Sequence, residues 1–93
     1  HYPDGFNYGY ECDSVSINNE ECPSNDKGTV DSPSIGHGTH VAGILAGNDS
    51  RYTGMAPESI LIVVKSLFDE ASVIDGARYI INKAKELQMP VVI

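Results

Sequence analysis

The chain has 93 residues, enough for one small domain at most. Thirteen Asp and Glu side chains stand against six Lys and Arg, which gives a formal net charge of -7 at pH 7. Because binding to nucleic acid or to an anionic lipid surface needs clustered basic side chains, this balance predicts no nucleic-acid partner and no membrane partner.

Residues 1–34 are predicted to form one long irregular loop. The segment is rich in Asn, Asp, Ser, Gly and Tyr and shows no apolar periodicity. It contains both cysteines, Cys12 and Cys22, at a separation that could close a small disulfide loop and would suit an oxidising compartment. Two free thiols are the alternative. No zinc-ligand spacing accompanies the pair, so the sequence predicts no metal site here.

Residues 35–93 follow regular patterns. The stretch from His37 to Ala46 reads HGTHVAGILA, which predicts a short, mostly apolar helix whose small residues permit close packing. Residues 60–64 are a continuous apolar run rich in β-branched side chains. Such a run predicts a strand that is buried on both faces, as strands in parallel sheets are.

A second helix is predicted over about residues 72–87. Apolar residues recur there at three- and four-residue steps, and Ser72 with Asp75 makes a weak capping pair. Pro90 ends this helix, and residues 90–93 begin a second strand. Strand, helix and strand form one β-α-β unit whose crossover should be right-handed, so the predicted fold class is α/β.

The stretch that carries chemistry is GHGTHVAG, residues 36–43. A serine hydroxyl is a poor nucleophile until a neighbouring imidazole removes its proton. That base must be neutral near pH 7 and held in one orientation. His37 is placed to open a helix, whose positive end disfavours an imidazolium. Residues 37–43 resemble, at every position, the catalytic-histidine motif of the subtilisin-like serine proteases, the subtilases.

Three further segments resemble the subtilases in the right order. Residues 54–57, GMAP, and the run to Lys65 are similar to the family's G-V-A-P segment and the strand after it. Residues 76–93 are similar to the helix and strand before its N-M-S-L-G segment, and residues 1–4, HYPD, to its H-P-D. The resemblance implies a partial subtilisin-like parallel sheet with flanking helices, preceded by the irregular loop.

The resemblance also implies a function. The chain would be part of a serine endopeptidase that hydrolyses peptide bonds by an Asp-His-Ser triad, with His37 as its general base and His40 as a packed structural residue. None of the chain's Asp or Ser residues has the D-S/T-G or G-T-S-x-A context of the other two members. They are expected in other segments of the same catalytic domain, so residues 1–93 are interpreted as a fragment of one such domain. The partners would be a peptide or protein substrate and those remaining segments.

A second interpretation stays open. The chain could belong to a catalytically dead subtilase-like protein that binds or regulates, and a G-T-S-x-A sequence downstream would distinguish the two.

The turn at residues 48–53 is shorter than the family's calcium-binding loop, so no cofactor is predicted in this chain and any calcium would bind elsewhere in the protein. The localisation expected from the family and the cysteines is secreted or cell-surface, and the opening His1 is expected to reflect processing or excision.

Overall fold

A computed structural model describes residues 2–22, 36–66 and 68–93. Within these ranges the helices are α1, Ser14–Asn18, α2, His37–Ala46, and α3, Glu70–Leu87. The chain divides into two compact units. The first unit combines His1–Thr29 with Ser66–Ile93 and contains α1 and α3, whereas the second, Val30–Lys65, contains α2.

Helix α1 interrupts the segment that was predicted to be one irregular loop. Asp13 caps it, because its Oδ1 accepts hydrogen bonds at 2.8 Å from both the backbone N–H and the hydroxyl of Ser16. A helix of five residues is too short to show an apolar period, which is why the sequence pattern did not indicate it.

Helix α2 has the bounds that the sequence predicts, and its two ends are closed differently. Gly36 caps the start with φ 59° and ψ 21°, a left-handed conformation that glycine adopts without strain. At the other end, the chain folds back so that Met55 N–H donates to the Ile44 carbonyl at 3.0 Å and Ala56 N–H to the Leu45 carbonyl at 2.7 Å. These bonds satisfy carbonyls that a helix end leaves without partners.

Helix α3 begins at Glu70, two residues before the predicted start. The cap is Asp69, whose Oδ1 accepts from Ser72 N–H at 2.8 Å, so the capping pair is Asp69 with Ser72 and not Ser72 with Asp75. The helix ends at Leu87, as predicted, and Gln88 follows in the left-handed conformation with φ 54°. Lys85 in the last turn complements the helix dipole.

The two predicted strands, residues 60–64 and 90–93, are not paired in the described parts of the chain. The pairing present there is one isolated antiparallel bridge between Asn48 and Thr53. A parallel strand needs partners on its edges, and no second strand lies beside either segment in the described residues. The α/β class therefore stays a prediction.

Very little apolar surface is covered within the described residues. Ala84, 7% exposed, is the buried hydrophobic side chain among them. Val63 in the predicted strand is 78% exposed, and Met55 beside α2 is 88% exposed. In addition, no described helix is both long enough and apolar enough to cross a membrane.

Candidate active site

His37 is the first residue of α2, and its side chain is exposed. The backbone at this position is defined by the Gly36 cap, whose carbonyl accepts from His40 N–H at 3.0 Å. The start of a helix directs free N–H groups and the positive end of the dipole toward whatever lies there. The imidazole is thus held at a defined backbone position while its ring stays open to approach.

A groove with a volume of about 700 Å³ lies along α2 in the same unit. His40, Ile44 and Gly43 line it from the helix, while Arg51, Tyr52 and Met55 line it from the following turn, together with Gly47 and Thr53. This groove is not apparent from the sequence, since nothing in the residue pattern indicates which side chains the turn brings back to the helix. His40 is exposed in this groove, and its expected role as a packed structural residue stays a prediction.

The turn between α2 and Gly54 has little capacity to hold calcium. Its one carboxylate is Asp49, and Oδ1 of that residue already accepts from Arg51 N–H at 2.8 Å. Calcium takes about six to eight oxygen ligands. In the described ranges, moreover, no three His, Cys, Asp or Glu side chains are grouped to hold a metal ion. This turn does not fit the family's calcium site.

The first unit contains the two cysteines and a cluster of polar contacts. Cys12 and Cys22 form a disulfide with a Cα–Cα distance of 6.0 Å. Next to Cys12, Glu11 accepts hydrogen bonds from the Tyr79 hydroxyl at 2.9 Å and from Lys83 Nζ at 3.1 Å. Lys83 also contacts Glu86 at 3.1 Å. The contacts of Glu11 join positions 68 and 72 residues apart, so no local pattern in the sequence predicts them.

Two side chains of this cluster have shifted pKa values. Burial of the ring, followed by the hydrogen bond and the negative charge of Glu11, raises the pKa of Tyr79 to about 12. Hydrogen bonds to Glu86 and then to Glu11 raise the pKa of Lys83 above its ordinary value. Both shifts favour the pairing of a protonated Tyr79 and a charged Lys83 with the Glu11 carboxylate.

Comparison with known proteins supports the resemblance of the histidine motif to the subtilases. The model of the subtilase family matches residues 5–89. The major intracellular serine protease of Bacillus subtilis (strain 168) is 40% identical over 60 residues, which cover 56% of this chain and 19% of that protein. The chain thus spans about a fifth of the length of this curated relative. No solved structure matches the chain.

The family match extends well beyond the histidine motif. It includes residues 5–34, where no motif of the family was identified from the residues alone, and it continues through α3. Because this match covers almost the whole chain and contains the helix that begins at His37, the chain belongs to the subtilase family.

Proposed function

We propose that this chain is part of a serine endopeptidase and that His37 is its general base. The observation that carries the proposal is the HGTHVAG motif on α2, with an exposed imidazole at the first helical position, in a chain that belongs to the subtilase family. The similar protein of Bacillus subtilis is named a serine protease, which supports the same activity.

In the proposed reaction, His37 removes the proton of a serine hydroxyl as the oxygen attacks the carbonyl carbon of a peptide bond. It then donates that proton to the departing amine, which leaves an acyl-enzyme. Water next attacks the acyl-enzyme, with His37 again taking and returning a proton, and the carboxylic acid product is released. The serine and the aspartate that orients the imidazole would come from other segments of the same catalytic domain. The substrate is a peptide or protein.

Exposed apolar side chains support the proposal that the serine and the aspartate lie in other segments of the same catalytic domain. Val63 and Met55 lie uncovered, and soluble monomers rarely expose large contiguous apolar surface. Segments that supply the serine and the aspartate would also supply neighbouring strands for residues 60–64 and 90–93. In that arrangement these two runs would join a subtilisin-like parallel sheet.

The compartment of the protein is a separate question with two opposing indications. The Cys12–Cys22 disulfide favours an oxidising compartment and therefore a secreted or cell-surface protein. The similar protein of Bacillus subtilis is named intracellular, which weighs against secretion. Alkylation of the native protein without reductant, followed by mass spectrometry, distinguishes the bridge from two free thiols.

The experiment that tests the proposed activity is labelling with a serine-directed fluorophosphonate. The intact protein that contains this chain should incorporate one label per molecule, and heat-denatured protein should incorporate none. A folded intact protein that takes up no label would favour the alternative, a catalytically dead subtilase that binds or regulates.

A further inference from the structure

The segment of residues 6–11 lies on α3 and is held there by side chains; we call it the strap. Phe6 packs edge-on against Tyr79 with ring centroids 6.3 Å apart, and the guanidinium of Arg78 lies 4.5 Å from the Phe6 centroid. Glu11 ends the strap with its bonds to Tyr79 and Lys83, and its side chain is only 16% exposed. Between these ends the Tyr8 hydroxyl donates to Asp75, so the strap contacts α3 at both ends and in its middle.

The disulfide begins one residue after the strap. Cys12 follows Glu11 directly, and its bond to Cys22 encloses α1. A helix of five residues does not persist in water without external support. The order of this enclosed loop thus depends on the cross-link together with the Asp13 cap, and Glu11 is attached to that loop by a single peptide bond.

We propose that the Cys12–Cys22 disulfide is a redox-sensitive latch that holds the Glu11 end of the strap on α3, and that its reduction by a dithiol frees Glu11 from Lys83. Both cysteines are only part-buried, so the bridge lies near the surface of the unit, where a small reductant can approach. One thiolate of the dithiol attacks a sulfur of the bridge and forms a mixed disulfide. The second thiolate then displaces the remaining cysteine. Two electrons and two protons pass to Cys12 and Cys22, and the dithiol becomes a cyclic disulfide.

The release follows from the entropy of the loop. While the bridge is closed, the loop between the cysteines has few conformations and Glu11 is presented to α3 with little further ordering. After reduction, the same contacts must also order the loop, and the hydrogen bond from Tyr79 and the ion pair with Lys83 together contribute too little for that. The contacts of Glu11 should therefore open while α3 itself, which has its own cap, persists.

The test is acylation of lysine amines in the intact protein, with dithiothreitol as the reductant. Lys83 is the reporter, and the exposed Lys85 of the same helix is the internal reference. Release from Glu11 both uncovers the Lys83 amine and removes one cause of its raised pKa. The ratio of Lys83 to Lys85 labelling should rise severalfold on reduction, because the Lys83 amine becomes more accessible and is less strongly held in its protonated form. Mass spectrometry of the two peptides measures the ratio.

A double variant, Cys12→Ser with Cys22→Ser, is the matched control. It should show the high ratio without reductant and no further change with it, which separates this bridge from any other disulfide. If the variant does not fold, the labelling ratio of the wild-type protein with and without dithiothreitol still tests the latch. An unchanged ratio after complete reduction of the bridge would overturn the latch. So would a loss of cooperative thermal unfolding on reduction, because the disulfide would then support the whole protein and not the strap alone.

Discussion

At the scale of residues, Glu11 is the point where the contacts of the first unit converge. It joins the strap to α3 through Tyr79 and Lys83, and its carboxylate is mostly covered. A covered carboxylate is tolerated because it accepts hydrogen bonds from a hydroxyl and an ammonium group. The same arrangement makes the attachment of the strap dependent on the protonation of both donors.

Alkaline pH should therefore weaken this attachment. The pKa of Tyr79 is raised from 10.0 to about 12, so the folded protein favours the neutral phenol. The stabilisation is complete below about pH 10 and is lost as the pH rises through about 12. Lys83, whose pKa is also raised, loses its contribution in the same direction.

The measurement is thermal unfolding of the intact protein across this alkaline range. Wild type should lose more stability than Tyr79→Phe, which has no phenol to titrate. Tyr52→Phe, at a position 76% exposed, is the matched control and should behave as wild type. Equal alkaline losses in wild type and Tyr79→Phe would contradict the role given to Tyr79.

At the scale of elements, the end of α2 depends on the turn that follows it. Gly54 N–H donates to the Gly47 carbonyl at 2.7 Å, and this bond places residues 55 and 56 against the last carbonyls of the helix. A Cβ at Gly54 would lie 2.6 Å from Gly47 N and 2.7 Å from Ala46 N. Both are backbone atoms, which cannot rotate away.

Gly54→Ala should consequently open the turn and destabilise the protein. Overpacking of this kind costs about 1–3 kcal/mol, and the loss of the hydrogen bonds adds to it. Ser50→Ala, in the same turn and exposed, should change stability by less than about 0.5 kcal/mol. Urea unfolding of both variants in the intact protein measures the difference, and an unaltered midpoint for Gly54→Ala would show that the turn is not closed in this way.

The helices were predictable from the sequence to different degrees. The bounds of α2 followed from its unbroken run of apolar and small residues, whereas the start of α3 was placed too late because Asp69 lies before the first apolar residue of the periodic pattern. The α1 helix was missed since it depends on a cap and a cross-link, which are not periodic features. The position of His37 at the start of a helix was predicted. The groove was not, because the residue pattern does not show how the turn after α2 folds back, and the Glu11 contacts were not, because they join distant parts of the chain.

At the scale of the whole molecule, the described residues do not form a covered core. Ala84 is buried, but the apolar side chains of α2 and of the segment 60–64 are largely open to solvent. Gly43 is one of the small residues expected to let α2 lie close against neighbours, but no described atom beyond the nearby backbone of α2 lies within 4 Å of the position its Cβ would occupy. Ordering the backbone costs about 1–2 kcal/mol per residue, and this little burial does not offset it.

The isolated 93-residue chain is therefore expected to be inactive and marginally stable. It should take up no fluorophosphonate, because the base alone cannot form an acyl-enzyme. Its urea unfolding at low concentration should be gradual. Stoichiometric labelling of the isolated chain, or a cooperative transition of a monomer worth several kcal/mol, would contradict this account of the chain as one part of a larger core.

The central claim is that His37 is the general base, and kcat on a chromogenic peptide tests it most directly. In the intact protein, His37→Ala should lower kcat on the order of a millionfold, which is the loss subtilisin shows without its catalytic histidine. His40→Ala, on the same helix, is the matched control and should act through stability, so that its folded fraction keeps its kcat. A loss below about tenfold for a folded His37→Ala protein, which is about 1.4 kcal/mol, would remove His37 from the mechanism.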